Sequence, residues 1–247
     1  MKNLLMFTDL ENFDEDYRKM MMIQIHNSLE LGWKRKDILL FTNFPYEYRG
    51  ITAKVINKRF GNSDDRCSKK MPMIVHLLYN GYLKDDLYWY HDIDAYQLEP
   101  ITEKELGLEE FDLGLTDYGR KPNWQMGSFF FRKDARDILK ENASRIKPGL
   151  DKNGRRRNDE YAMIYMTDEN WNNMNPRIKR MNYTYNFGMR KVKPCYDKAF
   201  KPIKVLHFHA KCKILNTLAI AMYGKNHTGK PLMNERLIKL FKKYGIT

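Results

Sequence analysis

Along the first hundred residues, short compact apolar runs alternate with longer stretches of helical period. Residues 4–8 read as a short buried strand. Residues 16–31 read as a helix that turns Met20, Ile23, Ile25 and Leu29 or Leu31 inward before Gly32 stops it. Residues 38–42 and 52–56 are the next compact runs. Residues 68–82 form a helical pattern with Pro72 in its first turn, where a missing N–H costs little. Residues 87–93 are a further strand. Strands and helices in this alternation predict an α/β domain with a mixed, mostly parallel sheet flanked by helices, whose ligands gather beyond the carboxyl ends of the strands.

Past residue 100 the pattern is more mixed. Residues 113–116 and 128–132 are strand-like, 134–145 helical, 148–158 a loop rich in Gly, Arg and Asn, and a helix begins at Asp159. Residues 205–209 form a last short strand, followed by helical 214–223 and an amphipathic helix over 234–244. With no internal repeat and no low-complexity linker, the 247 residues predict one domain, 1–247, with a helical segment over about 214–247. The final helix is basic on one side and carries Leu237, Ile238, Leu240 and Phe241 on the other, which suits packing against the domain or a peripheral membrane contact.

Composition narrows the class. The chain is 43% apolar and 30% charged, a globular profile that excludes a disordered chain. Its opening apolar run is too short for a signal peptide or a membrane span, so a cytoplasmic location is expected. Cys67, Cys195 and Cys212 are odd in number and contain no CxxC pair, which points to reduced thiols rather than disulfides or a zinc knuckle. The formal charge of +13 implies attraction to an anion: a nucleotide, a nucleic acid, an anionic glycan or a membrane surface. No zinc-finger, RNP or helix-turn-helix signature accompanies it, so nucleic acid ranks low.

The most informative segment is Tyr88-Trp89-Tyr90-His91-Asp92-Ile93-Asp94, in which two carboxylates two residues apart end an aromatic, strand-like run. In an extended chain they share a face, and like charges so close repel unless a cation lies between them. Hard oxygen ligands suit Mn²⁺ or Mg²⁺. His91 points the other way on this geometry and reads as a packed or supporting residue. A second segment, Val205-Leu206-His207-Phe208-His209-Ala210-Lys211-Cys212-Lys213, delivers two histidines on one strand face with lysines just beyond. Imidazole completes a borderline Mn²⁺ site, and a lysine is a point-charge partner for phosphate.

At these residues the chain resembles the GT-A glycosyltransferases, which use nucleotide-sugar donors, and most closely their retaining family 8. The family's Asp-x-Asp matches Asp92 and Asp94, which the resemblance places on the divalent ion and donor diphosphate. Its late motif His-Phe-x-Gly-x-x-Lys-Pro-Trp matches His207, Phe208 and Lys213, implying His207 as third protein ligand and Lys213 on the phosphates. Ala210 stands for the motif's glycine, and Ile214-Leu215 for Pro-Trp. Thr8 and Asp9 fall where the family binds base and ribose. Gln125-Met126-Gly127-Ser128 is similar to the strand lining the sugar pocket, with Gln125 or Met126 at the usual asparagine. Asn158-Asp159-Glu160 is similar to the family's Asp-Gln segment, so Asp159 and Glu160 are catalytic candidates, although Asn158 or Asp159 followed by acids is also a good helix N-cap. The arginine often found upstream of Asp-x-Asp is absent, and Arg66, Lys69 and Lys70 are nearby substitutes. The resemblance implies sugar transfer, UDP-sugar favoured, with retention, to a glycan or other hydroxyl acceptor. Two rivals fit parts of the pattern. One is a metal-dependent nucleotidyltransferase, which a Gly-rich phosphate loop near residue 10 would have favoured; the other is a non-enzymatic basic module for anionic glycan or nucleic acid.

Overall fold

The computed structural model describes residues 1–7, 13–60, 69–119, 123–147, 149, 158–188, 196–208, 225, 229 and 231–246. Its centre is a seven-stranded sheet built from β1 (Lys2–Phe7), β2 (Ile38–Thr42), β5 (Lys54–Val55), β6 (Leu87–His91), β8 (Leu113–Asp117), β9 (Trp124–Arg132) and β10 (Ile178–Met181). The order is β10-β8-β9-β6-β1-β2-β5, and only β9 runs antiparallel to its neighbours. The two-residue strands β3 (Glu47–Tyr48) and β4 (Ile51–Thr52) pair as a separate ribbon, so the expected run over 52–56 is divided between β4 and β5.

Helices cover both faces: α1 (Glu15–Glu30), α2 (Lys70–Tyr79), the short α3 (Glu103–Leu106), α4 (Arg136–Arg145), α5 (Asp159–Asp168) and α6 (Glu235–Lys243). Strand alternation sorts the core between them. Leu4, Tyr88, Tyr90, Phe129 and Phe131 pack with Met73 of α2, Ile138 and Leu139 of α4, and Met163 and Met166 of α5. On the opposite face Leu5 meets Met21 and Ile25 of α1, while Trp89 and Phe130 meet Ala95 and Val205. Fully burying one such side chain stabilises the fold by about 1.5–3 kcal/mol. Gly32, at φ +90°, ends the α1 segment as the sequence predicts.

A second, three-stranded sheet sits where the main sheet would otherwise stop. It orders β11 (Phe187–Gly188), β12 (Val205–His207) and β7 (Ala95–Gln97), with β12 parallel to β11 and antiparallel to β7. Strands β7, β10 and β11 have no counterpart in the periodicity, being two to four residues long. The apolar side of α6 is committed to the interior: Leu237, Leu240 and Phe241 are buried beside Tyr96, Phe208 and Met20. Packing against the domain, rather than a membrane, therefore occupies that face. The 214–223 helix and all three cysteines lie outside the described residues. Among the described residues no helix is long and apolar enough to cross a membrane.

Candidate metal and donor site

Strand β1 is flanked by β2 on one side and β6 on the other, which makes the carboxyl ends of β1 and β6 a topological switch point, the usual place for a ligand crevice. The register sets Leu4 opposite Tyr90, so the chain leaves both strands at one edge. Asp92 follows β6 there. Asp92, Ile93 and Asp94 form a turn and not the extended run expected. The reason lies in the hydrogen bonds: Asp92 N–H donates to Gly127 O on β9 at 2.7 Å, and Ala95 N–H donates back to Asp92 O at 2.9 Å. The chain thereby leaves the main sheet and joins the small one.

Buried polar side chains fix this turn from behind. Gln24 of α1 donates to Ile93 O at 2.9 Å and to Ala95 O at 2.7 Å. His91 stacks on Trp89 with ring centroids 4.1 Å apart, and its nitrogens lie 3.0 Å from Ala95 O and 3.0 Å from Asn3 Oδ1. Burial pushes the His91 imidazole down to about 4, so it is a neutral supporting residue, as its alternation predicts.

The small sheet brings the third residue in. His207 pairs with Ala95 across β12 and β7, and Phe208 N–H donates to Asp94 O at 3.0 Å. His207 Nε2 lies 3.4 Å from Asp94 Oδ1 and 3.9 Å from Asp92 Oδ2. One ligand atom from each of Asp92, Asp94 and His207 falls within 4.8 Å of the others. Two oxygens and one imidazole nitrogen at such spacing fit a single borderline or hard divalent ion, with positions left for substrate oxygens. Gly127 makes room for the ring: a Cβ there would come 2.0 Å from His207 Cε1. His207 Nδ1 is 3.1 Å from Asn186 Oδ1, a contact no sequence motif marked. Two surface cavities, of about 330 and 620 Å³, are lined by other residues.

A second charged group adjoins the first. The Lys70 ammonium, in the first turn of α2, lies 2.7 Å from Asp159 Oδ2 and 3.4 Å from Asp92 Oδ1. It also donates to Met126 O at 2.9 Å and lies over the Tyr90 ring, whose hydroxyl donates to Asp92 Oδ1 at 2.7 Å. Burial alone would lower this lysine's pKa, but Asp159 and Asp92 overrule it and hold the group well above its ordinary value. Asp159, with its side chain only 3% exposed, opens α5. The cap of α5 is Asn158, whose side chain accepts Tyr161 N–H at 3.1 Å, which leaves the Asp159 carboxylate to the lysine. Glu160 Oε1 accepts Met126 N–H at 3.4 Å, and burial, then Asp159, push its carboxyl up to about 7.

Of the three cations near the missing arginine, then, Lys70 enters the cluster. Lys69 holds the position just before α2, and Arg66 lies outside the described residues. Gln125 is on β9, where its carbonyl accepts from Asn186 Nδ2 at 3.2 Å, and Gly127 is two residues on. Thr8 and Asp9 follow directly from β1, and His209 and Lys213 follow β12, all four outside the described residues. Asn186 is the residue motif reading passed over, while Lys70 was named only as one of three substitutes for the arginine. A cation on α2 that meets Asp92 only through the fold carries no spacing signature of its own, and a lone asparagine in Tyr-Asn-Phe carries none at all.

No protein-family model and no curated protein sequence matches the chain. Solved structures do. A glycosyltransferase involved in the glycosylation of the major capsid of PBCV-1 superposes with a TM-score of 0.53 at 10% identity, over 85% of this chain and 95% of that one. The galactosyltransferase LgtC, in complex with donor and acceptor sugar analogues, gives 0.58 at 13% identity over 98% and 96%. The glycosyltransferase GlyE of Streptococcus pneumoniae TIGR4 gives 0.59 at 13% identity over all of this chain and 61% of that one. What these likenesses establish is the architecture: a mixed, mostly parallel sheet between helices in one domain, the GT-A fold.

Proposed function

We propose that this chain is a metal-dependent glycosyltransferase, most like retaining family 8, moving a sugar from a nucleotide diphosphate, UDP favoured, to a hydroxyl acceptor. The observation that carries the proposal is the convergence of Asp92, Asp94 and His207, with ligand atoms within 4.8 Å of one another, at the strand edge of this fold. A solvent-facing acidic turn would need no buried histidine delivered to it by a separate sheet, nor a glycine cleared for the ring. A divalent cation bound there supplies Lewis-acid stabilisation to the departing diphosphate, worth several kcal/mol. Mn²⁺ or Mg²⁺ suits this donor set.

The protein's own groups do the rest. Asp92, Asp94 and His207 hold the ion. Lys70 carries its charge beside Asp92 in a buried setting, where a fixed charge acts on a developing anion without reorganising. Asp159, held by Lys70, and Glu160 face the same region and are the catalytic candidates. A carboxyl titrating at about 7 exchanges a proton near neutrality, which suits assistance to an acceptor hydroxyl. In the same reading Thr8 and Asp9 bind base and ribose, Arg66, Lys69 and Lys213 add charge toward the phosphates, and Gln125 with Gly127 borders the sugar. The chemistry is placed in the cytoplasm.

A thermal-shift panel of UDP-, GDP- and CMP-sugars, with and without Mn²⁺, tests this. One nucleotide family is expected to stabilise the protein, only with the metal, and not in Asp94→Ala. At a hundredfold excess over Kd the gain is about 2.7 kcal/mol. Indifference to every donor in the presence of Mn²⁺ would overturn the proposal.

A further inference from the structure

Asn186 is fully buried between β9 and β12. Its Nδ2 donates to Gln125 O at 3.2 Å and to Ser128 O at 3.4 Å. Both partners are backbone carbonyls, which only accept, so the amide nitrogen must face them. Turning the carboxamide over would set its oxygen against two carbonyl oxygens in a dry interior. The strand supplying those carbonyls is itself tied down: Ser128 Oγ donates to Tyr185 O at 2.9 Å and accepts from Trp89 Nε1 at 2.9 Å.

The remaining atom, Asn186 Oδ1, therefore faces His207 Nδ1 at 3.1 Å, and it can only accept. Of the two acceptors at the ring, Asn186 Oδ1 at Nδ1 is the nearer, at 3.1 Å against 3.4 Å for Asp94 Oδ1 at Nε2, which favours the imidazole proton on Nδ1. A neutral imidazole has one such proton, so Nε2 keeps its lone pair, and Nε2 is the atom lying 3.4 Å from Asp94 Oδ1 and 3.9 Å from Asp92 Oδ2. The opposite tautomer would put an N–H where a cation's ligand is needed.

We propose that Asn186 is a positioning residue that selects the Nδ1–H tautomer of His207, so that Nε2 is available to a divalent cation shared with Asp92 and Asp94. Its consequence for the cation rests on the metal-dependent reading above, whereas the tautomer itself does not. Removing such an outer partner from a ligating histidine typically weakens metal binding about 10–100-fold.

Two measurements on the full chain test it. Long-range ¹⁵N–¹H correlation of ¹⁵N-histidine protein, metal-free and above the pH at which the imidazole titrates, reads the tautomer directly; the signal is assigned by its loss in His207→Gln. The Nδ1–H form is expected in the wild type, with a shift toward Nε2–H in Asn186→Leu. Mn²⁺ titration by calorimetry should then show a Kd raised about 10–100-fold in Asn186→Leu. A wild-type Nε2–H tautomer overturns the proposal, whether or not the variant folds. So does a folded Asn186→Leu with unchanged Mn²⁺ affinity. A wild type that binds no Mn²⁺ yet holds the Nδ1–H tautomer sinks the metal reading and leaves Asn186's selection of the tautomer supported.

Discussion

Gly127 shows how little of a site's chemistry needs a side chain. Its carbonyl accepts Asp92 N–H and its missing Cβ leaves the space that His207 fills. Gly127→Ala is expected to displace the imidazole, lowering stability by about 1–3 kcal/mol, as overpacking does, and weakening Mn²⁺ binding. Equal stability and equal Mn²⁺ affinity in calorimetry would contradict the close approach. Lys70 is the complementary case, a charge kept in the interior by its partners. Lys70→Met should cost about 3 kcal/mol, because it strands the Asp159 carboxylate without a cation. Lys70→Met with Asp159→Asn should recover most of that loss in urea denaturation, and no recovery would mean the pair is not the cause. Glu160 sets a pH dependence whose sign follows from its raised pKa. Between 4.5 and about 7 the folded protein keeps a proton that the unfolded chain has lost. The group's contribution to stability is therefore most favourable below 4.5 and is lost as pH climbs to about 7, by at most 2–3 kcal/mol for this half-buried carboxyl. Denaturation of metal-free wild type and Glu160→Gln across that window should show the difference; parallel pH profiles would contradict it.

Among the elements, those with a full period were readable and those defined by their neighbours were not. Residues 38–42 were delimited by their apolar run alone, α1 and α2 by period with Gly32 and Pro72, and α4 to within two residues, whereas for α5 only the start at Asp159 was read. Strands β7 and β11 were invisible because three- and two-residue segments have no period to detect, yet β7 is what turns the Asp92–Asp94 chain toward β12. The carboxylate pair was legible because an apolar lead-in marks a strand end. Lys70 was one of three neighbouring cations, and only the helix phase singles it out. Near the end of the described sequence, α6 has its Asn234 cap bridging to Leu98 O at 2.8 Å and its aromatic Phe241 buried against Tyr96. Phe241→Ala should cost about 3–5 kcal/mol in thermal or urea unfolding. A variant as stable as wild type would show that the helix is not docked.

For the molecule as a whole, the chain's sheet, helices and small second sheet make one scaffold in which Asp92, Asp94 and His207, the proposed cation ligands, are brought together by two sheets. Neither aspartate is near His207 in sequence, so only the folded chain brings the three together, and beforehand the residue types and then the resemblance joined the two motifs. The net charge of +13 fits a protein that takes an anionic diphosphate, but charge alone names no partner. The most direct measurement is an anomalous-scattering map from crystals grown with Mn²⁺ and UDP. One peak is expected, in contact with the carboxylates of Asp92 and Asp94 and with His207 Nε2, and adjoining the diphosphate. A manganese peak bound elsewhere, or a diphosphate seated away from those three residues, would contradict the central claim.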